Sequence, residues 1–195
     1  MKTLSQVKNK VNRCTLCGLA EMRKNPVPGD GNFRADVIFV GEAPGRNEDM
    51  QGRPFVGTAG KKLSAAFEYA GMSRDSVYIT NVVKCRPPGN RIPSLEEKEA
   101  CHAYLQDEIQ IINPKIICIL GNTALNSILG YTGITKYRGK VIKKGSQVYF
   151  VTIHPAAAIY RRELLDVLKN DIKKLSQIIT ELKNGKDLQA DIGHA

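Results

Sequence analysis

Four of the five cysteines have spacings that favour a shared metal site. Cys14 and Cys17 form a C-x-x-C pair, which lets two thiolates face one metal ion or cluster. Cys85 and Cys101 could complete a set of four. Cys118 does not belong with them, because it lies inside an apolar run where a small buried residue is expected. Four thiolates can bind either zinc or an iron–sulfur cluster, so both kinds of site stay open. A third alternative is that the four cysteines are unrelated buried residues.

A glycine-rich turn is the second feature that could take part in binding or catalysis. Residues 41–45 read Gly-Glu-Ala-Pro-Gly and follow the apolar run 37–40. A hydrophobic run that stops at two glycines flanking a proline is typical of a buried strand and a tight turn, where backbone N–H groups can approach a ligand. Most such turns in α/β proteins bind nothing, so the turn indicates a site only if other polar residues meet it.

The elements that must position these residues alternate between strand and helix. The predicted strands cover 36–40, 77–83, 115–120 and 147–153, and the predicted helices cover 3–13, 58–71, 95–113, 123–129 and 164–182. The third helix opens with a capping box, Ser94 to Glu97. Nearly continuous apolar strands separated by helices predict a mostly parallel sheet covered on both faces. We expect one α/β domain over residues 1–195, with a frayed tail from about residue 185.

Polar and aromatic residues follow several of these strands. Parallel sheets bind ligands beyond the carboxyl ends of their strands. This edge should bring together the 41–45 turn, Asn81, Gly121–Asn122 and His154, and Phe55 could reach it from the loop after the turn. An amide, an imidazole, an aromatic face and free backbone donors suit a flat ring that forms hydrogen bonds. A nucleobase fits that description.

The charge of the chain also favours a nucleic acid. The net charge is +10, from 29 Lys and Arg against 19 Asp and Glu, which favours a polyanionic partner, although a basic surface without a partner is an alternative. The N-terminus is polar and charged, and no apolar run approaches the length that spans a membrane. We therefore expect an intracellular monomer, in the cytoplasm or nucleoid, with no membrane segment.

Together these motifs resemble a family 4 uracil-DNA glycosylase, the thermostable iron–sulfur type of archaea and some bacteria. The resemblance covers about residues 10 to 175 and depends on the order of the 41–45 turn, Glu48-Asp49, Phe55, Asn81, His154-Pro155-Ala156-Ala157 and the four cysteines. It implies a three-layer α/β/α sandwich with a four-stranded, mostly parallel central sheet. It also implies a [4Fe-4S] cluster on Cys14, Cys17, Cys85 and Cys101. The implied reaction hydrolyses the N-glycosidic bond of deoxyuridine in single- or double-stranded DNA, leaving an abasic site.

The resemblance also implies a role for each residue at the edge of the sheet. Phe55 would stack on the flipped base, and Asn81 would bind uracil O4 and N3–H. His154 would donate a hydrogen bond to O2, where negative charge accumulates as the glycosidic bond breaks. Ordinary packing and strand capping are the alternatives for these three residues. The backbone of Gly41, Glu42 and Ala43 would complete the base pocket.

Two positions in the turn region concern specificity and water. The resemblance implies that Glu48 closes the side of the pocket that would admit the methyl group of thymine; a solvated carboxylate is the alternative. Ala43 departs from the superfamily pattern, because a water-activating aspartate would stand there. The candidates for holding the water are Glu42 and Asn90, and we expect neither to be a strong general base.

Contacts to DNA should come from basic residues on the same edge. The predicted phosphate ligands are Lys84, Arg86, Arg91, Arg161 and Arg162. Either Tyr160 or Arg161 could be the wedge that enters the vacated base stack. The lysines of the C-terminal helix are interpreted as a solvated face. Neither end of the chain carries an evident sliding-clamp motif.

Two other classes of protein remain as alternatives. An iron–sulfur electron-transfer or redox-sensing protein would explain the cysteines but not Asn81 and His154. A non-catalytic, metal-containing nucleic-acid-binding module would explain the charge and the cysteines. Release of free uracil from DNA distinguishes the enzyme from both.

Overall fold

Apolar runs form the central strands of a mixed sheet. The structure, a computed structural model, describes residues 2–186, 188 and 190–194. Across these residues the strands are β1 (Asp30–Gly31), β2 (Val37–Gly41), β3 (Tyr78–Asn81), β4 (Ile116–Leu120), β5 (Val141–Lys144), β6 (Gln147–Thr152) and β7 (Ile192–His194). All residues of β2, β3 and β4 are buried, as expected for strands covered on both faces.

The helices lie between the strands along the chain. In the described residues they are α1 (Leu4–Asn12), α2 (Leu19–Met22), α3 (Arg46–Gln51), α4 (Thr58–Tyr69), α5 (Leu95–Ile112), α6 (Asn122–Leu129), α7 (Ile134–Tyr137), α8 (Ala157–Tyr160) and α9 (Glu163–Lys183). The capping box that opens α5 is confirmed: Ser94 Oγ accepts from the Glu97 N–H at 3.2 Å, and the Glu97 carboxylate accepts from the Ser94 N–H at 2.8 Å. The helix ends at Asn113 in the left-handed conformation, just before Pro114.

The sheet has the order β1-β3-β2-β4-β6-β5-β7. The four central strands, β3, β2, β4 and β6, are parallel, whereas β1 and β5 are antiparallel to their inner neighbours. The prediction of a three-layer α/β/α fold around four parallel strands is confirmed. The strand count is corrected to seven in the described residues. The added strands, β1, β5 and β7, are short and flank the parallel core, and β1 and β5 are too brief or too polar to give a clear strand pattern.

Each face of the sheet carries its own hydrophobic core. Alternate residues of β2 point to opposite faces, so Phe39 packs with α4 and α9 while Ile38 packs with α5 and α6. Phe39 meets Phe67 of α4 edge to face, with ring centroids 4.9 Å apart. Burying such a side chain contributes roughly 1.5–3 kcal/mol. These two cores fix the sheet between its helices and hold its carboxyl edge in a defined shape.

The end of the chain corrects another expectation. The tail predicted to fray from about residue 185 contains β7, which pairs with β5 through the register Ile142 to Ile192. The Asp191 N–H donates to the Val141 carbonyl at 2.9 Å, and the Asp191 carboxylate accepts from the Val141 N–H at 2.8 Å. The prediction is therefore wrong for residues 191–194. Residues 187, 189 and 195 lie outside the described residues.

No helix in the described part of the chain is both long and apolar enough to cross a bilayer.

Candidate active site

The carboxyl ends of the central strands open into a cavity of about 520 Å³. The predicted site residues that line it are Glu42, Ala43, Glu48, Phe55, Asn81, Asn90, Arg91, His154 and Tyr160. The edge of a parallel sheet thus brings together residues from five separate segments, as the strand pattern predicts. Asn122, expected at the same edge, is absent from the lining, and its Oδ1 accepts from the Gly133 N–H at 2.9 Å.

Asn81 presents an unpaired acceptor to this cavity. It is the last residue of β3 and is only 1% exposed. Its Oδ1 is buried and has no hydrogen-bond partner among the described residues. A buried acceptor without a donor costs about 1–3 kcal/mol, so a ligand that brings an N–H group would recover this energy.

The lack of a side chain at Gly41 allows the backbone of β2 to come close to the Asn81 side chain. A Cβ at this position would lie 2.5 Å from Asn81 Oδ1 and 2.7 Å from Phe55 Cζ. Any side chain here would displace both groups from the wall of the cavity. The predicted part of Gly41 in the pocket therefore depends on its lack of a side chain.

Phe55 is held in an unusual backbone conformation. Its φ is 51°, in the left-handed region that non-glycine residues rarely adopt, and the side chain is buried. Its ring lies 5.8 Å from the His154 ring, measured between centroids, at an interplanar angle of 35°. Arg74, which no sequence motif singles out, donates from Nη2 to the Pro54 carbonyl at 2.6 Å. Strain of this kind clusters at functional sites, where the surrounding contacts maintain it.

His154 follows β6 and has a defined tautomer. Its Nδ1 accepts from the Ala156 N–H at 3.1 Å, so the neutral ring carries its proton on Nε2. Burial lowers the pKa of His154 to about 4. A Cβ at Gly121, where φ is +90°, would lie 2.8 Å from His154 Cβ, so this glycine makes room for the histidine. The site therefore offers a neutral Nε2–H donor at neutral pH.

We predict that the imidazole of His154 titrates near pH 4 rather than near its ordinary value of about 6.5. Between these two values the unfolded chain holds the extra proton. The contribution of His154 to the free energy of unfolding is therefore at its full value above about pH 6.5, and the protein loses stability as the pH falls towards 4. NMR titration of the imidazole C–H signals measures the pKa, and a His154→Asn variant identifies the signal. A midpoint near 6.5 would contradict the burial of this ring.

Glu48 has a fixed carboxylate in the cavity wall. It lies on α3, is 8% exposed, and its Oε1 accepts from the Gly57 N–H at 2.8 Å. A Cβ at Gly45 would lie 2.8 Å from Glu48 Oε2, so the glycine again allows the approach. A solvated loop carboxylate would not be held in this way. Glu42 and Ala43 line the same cavity from the turn after β2.

The loop before α5 contributes an amide and two arginines. Asn90, with a φ of 56°, lines the cavity and accepts from Arg86 Nε at 2.7 Å. Arg91 also lines the cavity and binds the Glu97 carboxylate with both terminal nitrogens, at 2.6 and 2.8 Å. Both guanidinium groups are thus oriented by neighbours at the mouth of the site.

Lys84 does not reach this surface, and its predicted contact with phosphate is wrong. The side chain is only 1% exposed and its ammonium group lies 2.7 Å from the Glu108 carboxylate. Its other hydrogen bonds go to the Thr80 hydroxyl and the Asn81 carbonyl. A buried ammonium with three protein acceptors cannot bind a phosphate.

Residues 160–162, at the end of the segment after His154, present their side chains to solvent. Tyr160 is 87% exposed and lines the mouth of the cavity. Arg161 donates from Nε to Glu163 at 2.9 Å, whereas Arg162 is exposed at the start of α9. Tyr160, Arg161 and Arg162 are therefore all available to a partner that covers the cavity.

The four predicted metal ligands share one neighbourhood. Burial raises the pKa of Cys85, and nearby Cys17 and Cys14 raise it further. Burial likewise raises the pKa of Cys101 to about 11, with contributions from Cys85 and Cys17. Among the described residues, no three Cys, His, Asp or Glu side chains are grouped in the manner of a metal site. The donor chemistry nevertheless fits a thiophilic centre, because all four thiols are free and each interacts electrostatically with at least one of the others.

Arg23 is a further residue beside the cysteines, and no sequence motif singles it out. Its Nη1 donates to Cys85 Sγ at 3.0 Å and its Nη2 to the Cys14 carbonyl at 2.9 Å. A cation at this position would offset the negative charge of thiolates. Cys118 is fully buried in the sheet, apart from this group, as predicted.

Comparison with known proteins finds similarity over most of the chain. The family model of the uracil DNA glycosylase superfamily matches residues 28–183. The chain is 46% identical to a type-4 uracil-DNA glycosylase of Sulfurisphaera tokodaii, over 91% of this chain and 86% of the relative. It is 42% identical to a type-4 uracil-DNA glycosylase of Archaeoglobus fulgidus, over 91% of this chain and 94% of the relative. A type-5 uracil-DNA glycosylase of Pyrobaculum aerophilum is 33% identical over 67% of this chain and 66% of its own length.

Proposed function

The chain belongs to the uracil DNA glycosylase superfamily and to its type-4 enzymes, and from this premise we propose how its residues excise uracil. It is a DNA repair glycosylase that hydrolyses the N-glycosidic bond of deoxyuridine. A base inside a duplex is out of reach, so the nucleotide must be extruded into the cavity at a cost of a few kcal/mol. The residues around the cavity then bind the base and stabilise the leaving group.

The observation that carries this proposal is the unpaired Asn81 Oδ1 beside Phe55 and His154. Uracil N3–H would donate to Oδ1, and uracil O4 would accept from the other end of the same amide. Cytosine presents its donor and acceptor in the reverse order, so a fixed Asn81 rejects it. Phe55 would stack on the ring, an interaction worth about 1–3 kcal/mol per base.

His154 would supply the main stabilisation of the transition state. Negative charge accumulates on uracil O2 as the glycosidic bond breaks, and the Nε2–H of a neutral imidazole can donate to it. Because the ring is held by Ala156 before substrate arrives, little reorganisation is needed. We propose that this donor, rather than proton transfer, provides most of the rate acceleration.

Glu48 would exclude thymine. Its carboxylate is fixed by the Gly57 N–H in the wall of the cavity, on the α3 side of the turn. A methyl group at the 5-position of the base would have to displace this carboxylate or lie against it. The hydrogen bond to Gly57 makes that displacement unfavourable.

We propose that Cys14, Cys17, Cys85 and Cys101 hold a [4Fe-4S] cluster. Four thiols in one neighbourhood and the guanidinium of Arg23 support this donor set. Hydrolysis of a glycosidic bond needs no electron transfer, so the cluster would serve to anchor the polypeptide. Cys85 directly precedes Arg86 and the loop that reaches the cavity, which places the anchor beside the proposed DNA contacts.

Contacts to DNA would come from the mouth of the cavity. Arg86, Arg91 and Arg162 would bind phosphates that flank the extruded nucleotide, in single- or double-stranded DNA. We propose Tyr160 as the wedge in preference to Arg161. Tyr160 is free and 87% exposed at the cavity mouth, whereas the Arg161 guanidinium is paired with Glu163.

We predict that neither Glu42→Gln nor Asn90→Ala abolishes cleavage. Each variant should retain a single-turnover rate within about 100-fold of the wild type, below the upper range of general-base catalysis. A bond that breaks dissociatively leaves an oxocarbenium-like sugar, for which water is an adequate nucleophile. Single-turnover cleavage at saturating enzyme measures the rate. Near-total loss in either variant, with DNA binding intact, would identify that residue as the base.

Release of free uracil tests the proposed function directly. Purified protein loaded with its metal is incubated with single-stranded DNA that contains one uracil, and matched strands with thymine or cytosine are the controls. We expect uracil release from the first strand only. An electron-transfer protein or a non-catalytic binding module would release none, and that result from a cluster-replete sample would overturn the proposal.

A further inference from the structure

We propose that Lys84 and Glu108 are a positioning pair that holds Asn81 in the orientation required to read the base. This inference rests on the proposed function of Asn81 in binding uracil. Lys84 follows β3 and Glu108 lies on α5, so the pair joins the carboxyl end of a central strand to a helix that covers the sheet. Neither residue lines the cavity.

Lys84 donates all three of its ammonium protons to acceptors within the protein. Its Nζ donates to the Glu108 carboxylate at 2.7 Å, to the Thr80 hydroxyl at 2.6 Å and to the Asn81 carbonyl at 2.8 Å. Two of these acceptors are the last two residues of β3. A side chain that starts after the strand thus folds back and ties down the strand end that carries Asn81.

Glu108 completes the network from the other side. Its Oε2 accepts from Lys84 and from the Thr80 hydroxyl at 2.8 Å, and its Oε1 accepts from the Gly29 N–H at 2.9 Å. The Tyr78 hydroxyl lies 3.4 Å from Oε1. Lys84 and Glu108 are each only 1% exposed. Burying two charges removes their hydration, and an ion pair of this kind is weak support for stability. Its geometric effect is the better reason for its presence.

Asn81 needs such an external support. Its Oδ1 has no partner among the described residues, so no hydrogen bond to that atom orients the amide before the base arrives. Its backbone is held on one side by β2, where Gly41 is its register partner, and on the other by the Lys84 ammonium. Selection between uracil and cytosine depends on the order of donor and acceptor, so a small rotation of this strand end would weaken it.

The backbone of Lys84 also contacts the cysteine neighbourhood. Its N–H interacts with Cys101, its carbonyl accepts from the Val27 N–H at 2.7 Å, and Cys85 is the next residue. One residue therefore links the base-reading strand end to the segment that holds the proposed cluster. This connection gives a physical route by which anchoring of the cysteines would maintain the base pocket.

A double-mutant cycle tests the positioning role. The pair variant Lys84→Met/Glu108→Leu removes both charges together, because removing one would leave the other buried and unpaired. It is combined with Asn81→Ala, and single-turnover uracil release is measured for cluster-loaded proteins. We expect about a tenfold loss from the pair variant when Asn81 is present and less than about twofold when Asn81 is already alanine. Equal losses in both backgrounds would overturn the inference.

A second ion pair, in which Asp171 is buried and Arg138 is partly exposed, provides the control. Arg138 binds Asp171 at 2.6 Å, and Asp171 accepts from the Thr152 hydroxyl at 2.6 Å near His154, away from Asn81. The variant Arg138→Met/Asp171→Leu should cause the same loss with and without the Asn81 side chain. If the Lys84 pair variant fails to fold, Thr80→Val is used in the same cycle, because it removes only the bridging hydroxyl. It should show the same dependence on Asn81, and equal losses would again refute the inference. Failure of the wild type to release uracil would refute the proposed function instead.

Discussion

Replacing His154 by alanine is expected to slow single-turnover release of uracil by about 100- to 1000-fold. The variant removes the only side-chain donor that we assign to uracil O2, where charge develops as the bond breaks. Because that charge is small in the bound substrate, affinity for uracil-containing DNA should change much less than the rate. The loss should therefore appear in the rate at saturating enzyme rather than in the dissociation constant.

His102 offers a matched control for this experiment. It is an exposed histidine on α5 and does not line the cavity, so His102→Ala should leave the rate within about twofold of the wild type. His154→Gln retains an N–H donor and should recover part of the rate. A loss of less than about tenfold in His154→Ala would show that leaving-group stabilisation comes mainly from elsewhere.

The rule for parallel sheets explains why much of the site could be predicted. Asn81 and His154 are far apart in sequence, yet both follow buried strands, and the carboxyl ends of such strands meet at one edge. Asn122 shows the limit of the rule. It also follows a central strand, but its side chain turns to Gly133 on a neighbouring loop. Strand order locates an edge, whereas side-chain direction depends on contacts that no local pattern encodes.

The positions of charged side chains show a similar limit of prediction from sequence. Lys84 and Arg86 are separated by one residue and the sequence predicts that both bind phosphate. Lys84 is instead buried and paired with Glu108, whereas Arg86 binds Asn90, which lines the cavity. The partner of Lys84 lies 24 residues away on α5. Arg23 meets Cys85 across 62 residues. A sequence displays a charge but not the distant partner that decides whether it faces solvent or the interior.

The strands that flank the parallel core have weak sequence patterns for a different reason. β1 has two residues and β5 ends in two lysines, so neither gives a strong strand pattern. They form because the parallel core presents unpaired backbone groups at its edges, and short segments that pass nearby satisfy them. The four central strands carry their own apolar signal and were predictable from it.

Loss of one of the four proposed cysteine ligands is expected to remove the proposed metal centre and destabilise the protein. Cys85→Ala and Cys101→Ala should each lose bound iron and visible absorbance. Structural metal centres contribute large folding free energies, so we expect the melting temperature to fall by about 10 °C or more. Iron analysis, absorbance spectra and thermal unfolding measure these changes.

Cys118→Ala is the matched control, because Cys118 is as buried as the ligands but lies in the sheet core. It should keep its iron and lose only about 1 kcal/mol of stability for the deleted atom.

Cys85 and Cys101 lie beside Lys84, whose ammonium holds Asn81, so loss of the centre should also weaken uracil release. Iron retained in both ligand variants would contradict the four-cysteine assignment, and zinc in place of iron would favour the other thiolate centre. Full activity in a protein without its metal would show that the base pocket is held by the Lys84 network alone.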